Sequence, residues 1–272
     1  MSNIQSLEGK KIVLIGGAGF IGHNLAIHLQ SRGAKLFIID GMQVNNLLSL
    51  VDNIDNLPHP DLSRALIMER ARLLKAANVK LKVQDARDYH AISRILNEIN
   101  PNVIIQLAAV SHANRSNKDP YSTFDHSFRT LENSLDWARG GSSNVEQFIF
   151  FSSSMVYGNF KNDQVDENTH CEPLGIYGAL KYGSEKIIIG YNQAFDLPYT
   201  IIRPSALYGE RCISRRVGQI FIENALLGKE IIMSDNGKEA LDFTYINDLI
   251  DGVTRCIENK NALNQVFNLT YG

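Results

Sequence analysis

The chain has only three cysteines in 272 residues, Cys171, Cys212 and Cys256. Their odd number and wide separation suit reduced thiols and argue against a disulfide framework or a metal centre. Neither sign of charge predominates: 27 Lys and Arg face 29 Asp and Glu, a net of -2, so there is no basic footprint for a nucleic acid. Long hydrophobic runs are missing too. Stretches such as "IIIGY" fall far short of the roughly 20 residues that cross a bilayer, and the start "MSNIQSLEGKK" lacks the apolar stretch of a secretory signal. A cytoplasmic protein with no membrane and no nucleic-acid partner is expected. Internal repeats and low-complexity tracts are absent as well. What remains is an ordinary globular composition, 44% hydrophobic and 21% charged, enough for one large domain or one domain with an appendage.

Short β-branched runs alternate with longer helical patterns. "KIVLIG", "KLFIID", "VKLKVQD", "NVIIQLAA", "VEQFIFFSS" and "YTIIRP" are almost continuously hydrophobic, as parallel strands covered by helices on both faces must be. The fold class predicted is α/β: a Rossmann-type, doubly wound parallel sheet with a smaller C-terminal substrate-binding lobe. The connection over residues 41–78 is unusually long, and "HPDLSRALIMERARLLKAAN" reads as a helix entered through Pro60 and Asp61. It is an elaborated crossover. The alternation becomes irregular after residue 204, with helices near "VGQIFIENALLGK" and "INDLIDGVTRCIENK". The expected division is a cofactor-binding Rossmann domain over 1–203, joined by about 238–262, and a lobe over 204–237 and 263–272.

"GGAGFIG" directly follows the first strand and opens a helix, the context that gives a glycine motif meaning. Gly16 permits a tight turn, Gly19 lets backbone amides approach a pyrophosphate, and Gly22 allows the helix to pack closely on the strand. The phosphates then meet the partial positive charge of the helix N-terminus. Asp40 ends the second strand, 24 residues after Gly16, where a carboxylate accepts both ribose hydroxyls and repels a 2′-phosphate. That favours NAD over NADP, although an aspartate at a strand end is also a common cap.

"IYGALKYGSEK" holds one pattern twice, Tyr177 with Lys181 and Tyr182 with Lys186. A four-residue helical step sets an ammonium beside a phenol in either pair and lowers its pKa. The two tyrosines are five residues apart, roughly 140° around a helix, so both cannot face one site. Upstream, "FFSSSMVYG" places serine hydroxyls at the end of the fifth strand, where they can converge with a tyrosine of the next helix.

With these motifs in order, the chain resembles the extended short-chain dehydrogenase/reductases of the NAD-dependent nucleotide-sugar epimerase and dehydratase family. The likeness runs through the glycine turn, "DARD", "LAA", the serine run, YxxxK, "RPSALYG" and "LDFTYIND". It implies cofactor contacts from Gly16, Gly19, Phe20, Ile21, Gly22, Asp40, Asp85, Ala86, Leu107, Ala108, Ala109, Tyr177, Lys181 and Pro204. The family places a glutamate eight residues after its catalytic tyrosine; Glu185 fits Tyr177, whereas Gly190 follows Tyr182. Tyr177 and Lys181 are thus the expected working pair. The family's serine or threonine four residues before the tyrosine of "VYG" selects Ser153. The resemblance further implies a homodimer, formed by helices flanking the fourth and fifth strands, and a nucleotide-diphosphate sugar as substrate.

Several positions depart from the family pattern. Met155 stands where the dehydratases carry an acid and cannot transfer protons, which argues for redox or epimerisation rather than elimination. Leu180 replaces a small residue before the lysine. The family's relay asparagine aligns with His126, while Ala206 and Leu241 replace a family asparagine and arginine. Arg211, Arg215 and Arg216 are candidates for diphosphate contacts, since guanidinium forks suit them; the alternative is a solvated face. Ser111, His112, Ser153 and Ser154 complete the expected substrate side, with Asn114 in place of an acid. In the family a further substrate-binding stretch follows the strand that "NQVFNLTYG" resembles, so the lobe is expected to be incomplete at its C-terminus. The reading is an NAD-dependent epimerase working through a transient 4-keto intermediate. The alternatives are a 4-ketoreductase or dehydrogenase with exchangeable cofactor, and a catalytically silent NAD-binding regulatory protein.

Overall fold

The computed structural model describes residues 5–53, 58–110, 113–160, 164–214, 216–233 and 241–271. The six β-branched runs form β1 (Lys11–Ile15), β2 (Lys35–Asp40), β3 (Lys80–Val83), β4 (Val103–Gln106), β5 (Gln147–Phe151) and β6 (Tyr199–Pro204). With β9 (Gln265–Leu269) they make a seven-stranded sheet in the order β3-β2-β1-β4-β5-β6-β9. Every pairing in it is parallel. Strand order reverses between β1 and β4, and the crevice beyond the carboxyl ends of these strands is where such sheets bind ligands.

Alternation along the strands builds two cores, one on each face. Ile12, Leu14, Ile38, Ile105 and Ile149 pack against Leu25 and Leu29 of α1 (Phe20–Ser31) and Leu249 and Val253 of α10 (Ile246–Glu258). Val13, Ile15, Ile104 and Phe148 pack against Ile92 and Leu96 of α4 (Tyr89–Ile99), Leu131 and Leu135 of α7 (Thr130–Ala138), and Ile188 of α8 (Gly175–Phe195).

The long crossover holds α2 (Leu47–Asn53) and α3 (Pro60–Ala76), the latter with proline in its first turn. Between β4 and α7 lie α5 (Ala113–Lys118), α6 (Pro120–Phe124) and a π-helical turn, Asp125–Arg129. After β6 come β7 (Leu207–Tyr208), α9 (Val217–Leu226) and β8 (Thr244–Tyr245), and β7 and β8 pair as a separate two-stranded sheet. One boundary differs from expectation. Residues 263–272 are expected in the lobe, but Gln265–Leu269 extends the main sheet beside β6. Among the described residues, no helix is long and apolar enough to cross a membrane.

Candidate active site

The turn after β1 is shaped by backbone geometry. Gly16 sits at φ +78°, and a Cβ there would lie 2.5 Å from the Ala108 backbone nitrogen; a side chain is excluded by both conformation and space. A Cβ on Gly22 would collide with the Gly17 carbonyl oxygen, so α1 can approach the turn only with glycine there. Gly19 faces open space, with nothing nearer than 3.9 Å to where a Cβ would stand. It precedes α1 without a side-chain cap, and no acidic residue stands in the first turn. The first amides of α1 therefore offer unpaired donors to an anion.

These residues open onto a cleft, which Gly16, Gly19, Ile21, Gly22, Asp40, Asp85, Ala86, Leu107, Ala108 and Ala109 all line. Phe20 instead packs on the core, and Pro204 closes β6 beside Leu269. The Asp40 carboxylate accepts the amides of Ala18 at 2.9 Å and Met42 at 2.7 Å. Burial raises its pKa, opposed by those amides and by the Arg70 charge. At Asp85 burial also works upward, but the bonds from Arg87 and Gln43 outweigh it and hold the carboxyl well below the usual range. Arg87 reaches on to Asp125 at 2.8 Å, tying the strand end to the π-helical turn. Asp88 caps α4 by accepting the Ala91 amide. Gln43, Asn45, His126 and Thr130 also line the cleft; the sequence offered no signal for the first two beyond the length of their crossover.

A second, smaller pocket shares Ala108 and Ala109 with this cleft and is bounded by Ser127, Phe150, Tyr177, Leu180, Lys181 and Ser184. Burial raises the pKa of the Tyr177 phenol, opposed by the nearby Ser153 side chain and the charge of Arg216. Lys181, 7% exposed, donates to the Phe151 carbonyl at 2.6 Å, and its Nζ lies 5.9 Å from the Tyr177 ring centre. Burial pushes its pKa down to about 8, with Glu185 opposing. Ser153 accepts the Met155 amide at 3.2 Å, which fixes the hydroxyl at the start of a 3₁₀ turn, Ser154–Tyr157.

Glu185 lies beneath this group. Buried to 1% exposure, it pairs with Arg203 at 2.7 Å and accepts the Ser152 hydroxyl. Arg203 donates to Tyr157, whose hydroxyl donates to Asn268 of β9. Tyr182 and Lys186 are turned elsewhere: Lys186 is exposed, its Nζ lying 4.8 Å over the Tyr182 ring, and neither residue borders the two pockets.

Other expected residues are placed differently. His126 lines the cofactor cleft with its Nδ1 on the Ser122 carbonyl at 2.8 Å, and Ser127 is the residue that reaches the Lys181 pocket. Both residues lie in the π-helical turn. Arg211 is not free for a diphosphate: its guanidinium donates to His23 Nε2 at 2.9 Å and Asn24 Oδ1 at 2.7 Å, both on α1. Arg216 is exposed and close enough to act electrostatically on Tyr177. Ser154 meets Ser205 at 3.5 Å. Ser111, His112 and Arg215 lie outside the described residues, as do the side chains of residues 113–115.

Fold and site together define a dinucleotide-binding α/β protein with a serine, a tyrosine and a lysine gathered beside the nucleotide cleft. The model of the NAD dependent epimerase/dehydratase family matches residues 12–270, and the chain belongs to that family, with NAD as its cofactor. It is 26% identical to dTDP-D-glucose 4,6-dehydratase of Dictyostelium discoideum, over 99% of this chain but 60% of that protein. An uncharacterized UDP-glucose epimerase of Bacillus subtilis, YtcB, is 28% identical over 95% of this chain and 76% of its own length. The crystal structure of UDP-glucuronic acid 4-epimerase from Bacillus cereus, in complex with UDP-glucuronic acid and NAD, superposes with a TM-score of 0.82 at 25% identity, covering 96% of this chain and 77% of that one. The chain thus spans three-fifths to about three-quarters of the length of these relatives.

Proposed function

We propose that the chain is an NAD-dependent epimerase of a nucleotide-diphosphate sugar, acting through a transient 4-keto intermediate. The observation that carries this reading is the gathering of Tyr177 and Lys181 on one pocket beside a cleft suited to a dinucleotide, with Ser153 close enough to Tyr177 to act on its phenol. In this scheme Tyr177 takes the proton of the sugar's 4-hydroxyl, and Ser153 donates a hydrogen bond to the same oxygen as it becomes a carbonyl. Lys181 has one proton on Phe151 and two left for other acceptors, and its positive charge favours the phenolate. Bound NAD supplies the hydride acceptor and donor. The keto sugar turns over and receives hydride on its other face, while Tyr177 returns the proton.

Met155, 42% exposed beside the serine run, has no proton to give, which supports epimerisation over elimination. The related UDP-glucuronic acid 4-epimerase supports a sugar inverted at C4. We read the active form as a cytoplasmic homodimer. Support for the dimer comes from Tyr121 and Phe124, 85% and 53% exposed on α6 after the fourth strand.

The test is nuclear magnetic resonance of UDP-glucose, UDP-glucuronic acid and UDP-N-acetylglucosamine incubated with protein in deuterium oxide. An epimerase yields the 4-epimer without solvent deuterium on the sugar carbons. A 4-keto-6-deoxy product with solvent deuterium at C5 overturns the proposal in favour of dehydration. Keto product formed in step with free NADH overturns it in favour of a dehydrogenase.

A further inference from the structure

One buried arginine lies outside the reacting group. Arg70, on α3 in the elaborated crossover, is 1% exposed. Among the described residues it makes no ion pair within 4 Å. Its Nε and Nη2 both donate to the backbone carbonyl of Arg211, at 3.1 and 2.5 Å, and its Nη1 donates to the carbonyl of Asn45 at 3.2 Å. The Arg211 side chain continues the chain of contacts to His23 and Asn24 on α1. Asn46, next to Asn45, donates to the Ala18 carbonyl at 3.2 Å, and Asp40 accepts the Ala18 amide. The contacts close a circuit: glycine turn and α1, Arg211, Arg70, the loop after β2, and back to the glycine turn.

Three facts indicate that this circuit ties the glycine turn to a restrained loop. First, two guanidiniums stand together. His23 adds no charge, since burial and both arginines push its pKa down to about 3; its Nδ1 then donates to Gly19 while Nε2 accepts from Arg211. Asp40 is the carboxylate whose field reaches Arg70. Glu69 and Glu210 carry carboxylates within the field of Arg211, so both guanidiniums are partly balanced and the link they form is one of hydrogen bonds. Second, Arg211 has φ +64°, a backbone state uncommon for a residue with a side chain and held by surrounding contacts. Third, none of residues 209–213 lines the cofactor cleft, yet Arg216, five residues past Arg211, bears on Tyr177.

We propose that Arg70 is a positioning residue that, through Arg211, couples occupancy of the dinucleotide cleft to the conformation of the 209–214 loop on the substrate side. The inference rests on NAD binding at the glycine turn and not on the identity of the sugar. The coupling is reciprocal: what orders the loop also tightens cofactor binding.

Hydrogen exchange read by mass spectrometry, with and without saturating NAD, tests this in the full chain. In the wild type NAD should slow exchange of peptides covering both 16–24 and 209–214. In Arg70→Met, NAD should still protect 16–24 but not 209–214, and the NAD dissociation constant should rise by roughly 5-fold or more, the lower end of ordinary coupling. Arg70→Lys should not rescue the coupling, because an ammonium lacks the planar fork that spans two carbonyls. Arg211→Lys, which leaves the Arg70 carbonyl contacts in place, should also uncouple the two segments, and it serves if Arg70→Met does not fold. Protection of 16–24 alone in the wild type overturns the proposal, as does full protection of 209–214 in the variants. Protection of neither segment in the wild type refutes the cofactor site itself, together with the coupling built on it.

Discussion

Lys181→Met separates what the lysine does for chemistry from what it costs the fold. In the structure the ammonium is buried, and its pKa is pushed from 10.5 down to about 8. At about 1.4 kcal/mol for each tenfold change in proton affinity, that is about 3 kcal/mol of unfavourable desolvation in the cofactor-free protein. The sign follows from proton counting. Below pH 8 the lysine is charged in both states and the full cost is present; between pH 8 and 10.5 the unfolded chain holds the proton more tightly, so stability rises with pH. Methionine removes this cost but strands the Phe151 carbonyl, a loss of about 1–3 kcal/mol. Near neutral pH the two effects roughly offset each other, so the variant should unfold within about 2 kcal/mol of the wild type while turnover collapses. Urea unfolding of both proteins at pH 7, 8, 9 and 10 gives a difference curve free of the other titrating groups. The wild type should gain roughly 2–3 kcal/mol on the variant between pH 7 and 10. Parallel curves would refute the buried, charged lysine on which the reasoning depends.

Asp40→Ala should weaken NAD binding and relax the rejection of NADP, since a ribose acceptor and a negative charge disappear together; titration with both cofactors checks this, and an unchanged preference removes Asp40 from the site. Because Asp40 also holds the Ala18 and Met42 amides, the variant should be less stable in thermal unfolding as well. Arg203→Met removes the ion pair of the buried Glu185 and leaves it the Ser152 hydroxyl and the more distant charge of Lys181, and should cost about 3–5 kcal/mol in chemical denaturation. Sedimentation at micromolar concentration should give a dimer; a monomer contradicts the assembly proposed.

The central runs were legible because a strand covered on both faces must be apolar along its length, as β1, β4, β5 and β6 largely are, whereas the edge strand β3, "KLKV", is mostly exposed. The place of β9 in the sheet was not legible. Its sequence, "QVFNL", is half polar because it borders the sheet, and its place beside β6 depends on a pairing some 65 residues distant. The glycine turn was legible because steric rules fix the residue type at Gly16 and Gly22. Arg211 was misplaced because spacing says nothing about which way a long side chain turns. Its partners, His23 and Asn24, lie nearly 190 residues upstream. Ser127 was hidden by a π-helical turn that no composition rule announces, and Arg70 by looking like any other arginine on a polar helix.

The central claim is that the first of the two Tyr-Lys pairs works and the second does not. Turnover of the sugar identified by the conversion screen, measured for Tyr177→Phe and Tyr182→Phe side by side with NAD binding as a control, tests it most directly. Tyr177→Phe keeps the ring but loses the acid/base hydroxyl beside Ser153, and turnover should fall by roughly 10²- to 10⁴-fold with NAD binding largely intact. Tyr182→Phe, roughly 140° around the helix, should stay within a few-fold of the wild type. A collapse in Tyr182→Phe with Tyr177→Phe still active would contradict the account.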